Sequence, residues 1–161
     1  MRTLMLLLLA SITASPALAI TGSGTLTGHS TLTAGRCGRD RARFTVVVSL
    51  RDDGTWSVTG PEIAPFGGTY APKGRSGRKL ALTFDDASRA GFVGELTGDV
   101  SSLCRLPVTV TDATQKAFVL TLNRKQSRAT LTLRYRLAGM ANGKRGRASI
   151  ELIGHGGWTP G

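Results

Sequence analysis

The chain has 161 residues, 40% of them hydrophobic, and its 21 basic against 10 acidic side chains give a net charge of +11. That length suits one domain with a real hydrophobic core. With only two cysteines and two histidines the inventory for a metal centre is thin, since neither His29 nor His155 stands at ligand spacing from a cysteine.

Residues 1–19 begin with Met1 and Arg2, run through Leu4, Leu6, Leu7, Leu8 and Leu9, and end on Ala17-Leu18-Ala19. A positive start, a short apolar run and a small-residue ending are the three parts of a cleaved secretory signal, with the cut expected after Ala19. The run is shorter than the roughly 20 residues of a membrane span, and nothing later in the chain is long and apolar enough to be one. Ile20 rather than a cysteine follows the cut, so a bacterial-type lipid anchor has no thiol to occupy. The expectation is a soluble, secreted or periplasmic product: residues 20–161 as a single β-rich domain with a glycine-rich C-terminal tail. In an oxidising compartment the even pair Cys37 and Cys104 is expected to be bridged.

Along the remaining sequence the dominant signal is alternation with a period of two. A strand around Gly24–Leu32 comes first. In 43–51, Phe44, Val46, Val48 and Leu50 fall on one face, Thr45, Ser49 and Arg51 on the other, as a half-buried strand requires. The same pattern places strands at Trp56 and Val58, near Gly68–Ala71, at Leu80, Leu82 and Phe84, at Val108 and Val110, at Phe118, Leu120 and Leu122, from Leu131 to Leu137, and at Ala148, Ile150 and Leu152. Asp52-Asp53-Gly54, 73–78, 123–127 and 139–143 read as hairpin connections between them.

Between the strands, Ala87, Ala90, Val93, Leu96, Val100 and Leu103 recur at three- and four-residue steps behind Asp85 and Asp86, either of which can cap a helix. The reading is mainly β: an antiparallel meander of about eight to ten strands forming a barrel, or alternatively a sandwich, with one short helix around 86–103. Closure favours the barrel because it removes exposed edges. The expected bridge then ties the helix to the start of the second strand.

Gly54-Thr55-Trp56, Gly68-Thr69-Tyr70 and Gly77-Arg78-Lys79-Leu80-Ala81-Leu82 together resemble the strand-turn-strand rhythm of small exported bacterial lipocalin-like barrel proteins. The resemblance covers about a quarter of the chain. It implies an apolar ligand carried inside the barrel, although inward Phe, Leu and Val are expected to pack a narrow barrel solid.

No catalytic set assembles in the sequence. His29 and His155 read as exposed loop or strand-end residues, and Asp52-Asp53 and Asp85-Asp86 suit a turn and a helix start. Neither an enzyme nor a cofactor is expected. Basic residues carry the leading functional expectation. Arg134, Arg136 and Arg147 alternate outward on neighbouring strands, where paired side chains lie about 5 Å apart, and Arg124, Lys125, Arg128, Lys144 and Arg145 lie in the adjoining loops. Together they are read as a face for anionic polysaccharide or lipid headgroups. Base-stacking aromatics on that face are too few for specific nucleic-acid recognition.

Overall fold

Period-two alternation sorts the side chains of each strand into a wet set and a dry set, and the dry set needs an apolar surface to meet. Here the sheet supplies it by closing on itself. The computed structural model describes residues 20–161; the signal-like segment 1–19 lies outside the described residues. In chain order the elements are β1 (Gly22–Ala34), a 3-10 turn (Gly35–Cys37), β2 (Gly38–Leu50), β3 (Thr55–Gly60), β4 (Ile63–Lys73), β5 (Lys79–Phe84), α1 (Asp86–Cys104), β6 (Thr109–Leu122), β7 (Arg128–Ala141), β8 (Lys144–Gly157) and the two-residue β9 (Thr159–Pro160).

Each strand from β1 to β7 pairs antiparallel with its successor, and β8 returns to β1 over Leu26–Ala34. That last ladder makes an up-and-down barrel of eight strands and removes the sandwich alternative. Leu26, Val48, Trp56, Leu80, Leu82, Leu120 and Leu122 are almost completely withdrawn from solvent inside it. Thr, Ser and Arg dominate the outer face, where Val47 is the one exposed large hydrophobic side chain among the described residues. A lipid-facing barrel has the opposite polarity, apolar outside and polar within.

The wall is uneven in height. β1 and β2 have 13 residues each and β6, β7 and β8 have 14, whereas β3 and β5 have six. Consequently β2 pairs with β3 only over Val47–Leu50, and β5 with β6 only over Lys79–Ala81. The barrel is continuous at its lower end, where the β2–β3 turn lies, and splits along two seams at its upper end.

Helix α1 crosses the split end and is fixed at both of its own ends. Asp85 Oδ1 accepts from the Ser88 amide (2.7 Å), and Ser88 Oγ accepts from the Gly67 amide on β4 (2.8 Å), so the cap also docks the helix start. Phe92, Leu96 and Val100, four residues apart, are buried against the core. At the far end Cys104 is bonded to Cys37 in the tip of the β1–β2 hairpin, with Cα atoms 4.9 Å apart.

Several local expectations need correction. The helix runs one residue further than expected and includes Cys104; its dry face is Phe92–Leu96–Val100, while Ala87 and Ala90 are exposed. Val108–Val110 and Phe118–Leu122 do not make two strands, because β6 runs through the polar residues between them with irregularities at 110/112 and 115/117. Gly139–Gly143 is no five-residue loop: Ala141 pairs with Lys144 across an Asn142-Gly143 turn, both at positive φ (48° and 71°), the two-residue hairpin that matches strand twist. The glycine-rich C-terminus is not a tail. Gly154 and Gly156 belong to β8, and Trp158 is buried beyond its end.

Closing a loop with a sequence separation of 67 removes about 4 kcal/mol of unfolded-chain entropy in the loop-closure treatment. The double variant Cys37→Ser/Cys104→Ser is therefore expected to unfold at markedly lower temperature than the oxidised protein. The parent treated with reductant should match the variant, and equal melting temperatures for all three would contradict the stabilising role.

Candidate functional site

The inward side chains do not fill the barrel. A cavity of about 450 Å³ lies beneath α1 and between the two walls, where a solid core was expected. The reason is an uneven distribution of bulk. Trp56, Phe66, Phe84, Phe92, Phe118 and Tyr135 interlock on the β3–β7 side with ring centroids 4.8–6.4 Å apart. The opposite wall carries the small inward residues Ser30 and Ala42. Phe44 is drawn back over Gly154, where a Cβ would stand 2.7 Å from its ring. Trp56, whose indole donates to the Thr83 carbonyl (3.0 Å), forms part of the cavity lining, as do Val48, Leu82, Leu131 and Ile150.

The β2–β3 seam gives the cavity its mouth. Above Val47, β2 has no partner on the β3 side, and the lining there comes from exposed Ala42 and Arg43 on β2, Pro61 and Glu62 in the β3–β4 turn, and Glu95 and Asp99 on α1. Glu95 and Asp99 each precede a buried helix residue, Leu96 and Val100, so they stand on one flank of the dry face. Burial, and then the negative charge of Asp40 on β2, raise the Asp99 carboxyl above the ordinary carboxylate range.

No family model, curated protein or solved structure matches this chain.

The barrel divides the basic residues singled out from the sequence. Arg124, Lys125 and Arg128 lie at the lower β6–β7 hairpin; Lys144 and Arg145 lie at the upper β7–β8 turn, the length of β7 away. These loop residues do not converge. Arg134 and Arg136 do project outward, and Arg147 sits diagonally from Arg136 through the Ala138–Arg147 and Arg136–Ser149 pairs. Arg134 is already neutralised, its Nε 2.6 Å from Glu151 Oε2.

Closure of β1 on β8 adds three residues that were not included in that face. Arg39, Arg41 and Arg43 occupy successive outward positions of β2, opposite Thr33, Thr31 and His29, and so join the wall that carries Arg134 and Arg136. Their alternate spacing was visible, but only the β1–β8 ladder brings them alongside. His155 is exposed on the same wall, with Nδ1 3.0 Å from Thr130 Oγ1. Asp53 completes the β2–β3 turn: Oδ1 accepts from the Thr55 hydroxyl (2.6 Å) and amide (2.9 Å), and these bonds hold its pKa below the usual value.

A raised pKa means that the fold favours protonated Asp99. Its contribution to stability is complete below the ordinary carboxylate range and is lost as pH rises through the higher folded value. Asp99→Asn is therefore expected to melt at higher temperature than the parent at neutral pH, with the gain vanishing in acid. Thermal unfolding from acid to neutral pH checks this; a destabilised variant at neutral pH would refute it.

Proposed function

We propose that the protein is an exported binding protein that holds a small apolar ligand inside the barrel, admitted through the seam between β2 and the β3–β4 turn. The observation that carries this reading is the cavity of about 450 Å³ with an apolar interior and an open mouth. Ligand sites span about 300–1,000 Å³, are mostly apolar and place a few polar groups where orientation is set. An eight-stranded barrel has an interior at the size limit where side chains either fill it or leave room for one small molecule. The resemblance to lipocalin-like barrels supports the same reading. Export is supported by the signal-like composition of 1–19 and by the Cys37–Cys104 bridge.

Trp56 provides the test. An uncharged apolar probe such as decanol should change the emission of Trp56 saturably, with Trp158→Phe used to remove the other indole. Ser30→Phe, which places a ring in the cavity from β1, should keep the fold and weaken binding at least about tenfold, the equivalent of about 1.4 kcal/mol. Binding that is unchanged in a folded Ser30→Phe protein would place the ligand elsewhere.

A second reading concerns the outer wall. Arg39, Arg41 and Arg43 share it with Arg136 and Arg147, and an anionic polysaccharide or lipid surface would neutralise their mutual repulsion. Glu151 stands between Arg41 and Arg134 in register and divides the positive face. Retention on heparin at low salt should fall in Arg39→Glu/Arg41→Glu and be insensitive to Arg124→Glu/Lys125→Glu. Equal loss in both variants would point to diffuse charge rather than a face.

A further inference from the structure

The protein carries twice as many basic as acidic residues, yet the cavity mouth reverses that balance. Glu62, Glu95 and Asp99 border it, and Arg43 is the one cationic residue in its lining among the described residues. Asp40, outside the lining and paired in register with the inward Leu32, adds a fourth carboxylate whose charge reaches Asp99. These acids come from three separate elements, β2, the β3–β4 turn and α1, so their convergence is a product of the fold. The one ion pair among the described residues is Arg134–Glu151, on the outer wall. Arg43 belongs to the outward register of β2, opposite His29, as do Arg39 and Arg41.

Within α1 the arrangement works against the helix. Glu95 and Asp99 are four residues apart, the spacing at which like charges repel on a helix surface, and Asp99 additionally faces Asp40. A cationic group at the mouth would relieve that repulsion. An apolar cavity behind a ring of carboxylates calls for a ligand with two parts: a hydrocarbon body that fills the barrel and a positively charged head that stays at the opening.

We propose that the cavity selects cationic amphiphiles, its apolar interior taking the chain and Glu62, Glu95 and Asp99 holding an ammonium head at the mouth. This rests on the reading of the barrel interior as the ligand site and names the class of ligand it takes. Three acidic side chains against Arg43 leave the lining net negative, and Arg43 belongs to the outward register of β2.

Three probes with the same ten-carbon chain separate the possibilities: decyltrimethylammonium, decanol and decanoate, each below its micelle-forming concentration, titrated against the disulfide-bonded protein at low salt with Trp56 emission as the readout. The expected order is ammonium, alcohol, carboxylate, with about tenfold between the first two, the effect of a few partly solvated charge contacts. In Glu95→Gln/Asp99→Asn the ammonium should fall most of the way to the affinity of the alcohol while the alcohol is unchanged, and raised salt should narrow the gap in the parent. Glu62→Gln, outside the helix, should give a smaller loss of the same sign and serves if the double variant does not fold. Decanoate binding as tightly as the ammonium, or a preference undiminished in folded Glu95→Gln/Asp99→Asn, overturns the proposal and leaves the cavity reading standing. No saturable change with any probe, decanol included, removes both.

Discussion

The architecture turns on a mismatch of strand length. A closed barrel requires every strand to be hydrogen-bonded on both sides, but β3 and β5 are less than half as long as β2 and β6, which they must join. Their backbones run out, and the upper parts of β2 and β6 are left without a ladder on one side. At the β6 seam, side chains stand in: Gln115 donates to the Leu82 carbonyl (3.2 Å) and Arg89 from α1 to the Ala113 carbonyl (3.1 Å). At the β2 seam the gap is not bridged by backbone pairing, and there the cavity reaches the surface. The helix is what makes the mismatch tolerable, because it supplies Phe92, Leu96 and Val100 as a roof for a core that the wall leaves uncovered.

A roof must be held down. Docking of α1 is local at its start, through Asp85, Ser88 and Gly67, and covalent at its end, through Cys104. The bridge therefore joins elements from opposite sides of the opening, the β1–β2 hairpin and the β5–β6 connection. The exposed upper edge of β2 is protected by other means. Arg39, Arg41 and Arg43 point out from it and Asp40 lies in the inward register, a pattern of charges that discourages a second strand from pairing there.

Much of this was legible in the sequence because strands with one wet and one dry face write a period of two directly into residue order. Phe44, Val46, Val48 and Leu50, and Leu131, Leu133, Tyr135 and Leu137, needed nothing else. The bridge was legible from compartment and cysteine number. Legibility failed where the period breaks. In β6 the inward register passes through Val110, Ala113, Gln115 and Phe118, and the two irregularities that shift it leave a polar stretch that reads as a loop. In α1, glycines at 91, 94 and 98 obscured the face set by Phe92, Leu96 and Val100. The cavity was illegible for a different reason: it is a volume left between walls, and volume depends on which inward residues end up opposite one another after closure.

The grouping of charges was illegible for the same reason. Arginines are numerous and were read by sequence proximity, which grouped Arg124 with Arg145 although β7 separates them. Acidic residues are few and scattered through the chain, so Asp40, Glu62, Glu95 and Asp99 suggest no grouping until β2, the β3–β4 turn and α1 meet. In a strongly basic protein a rare charge costs less to place wherever a neighbouring arginine can balance it. Glu151 follows that rule beside Arg134; the mouth residues form no ion pair among the described residues, and two of them stand four apart on one helix, the spacing at which like charges repel. Groups arranged against their own local stability are those for which function is the natural explanation, since binding sites hold charges in wait for a partner that the fold itself does not supply.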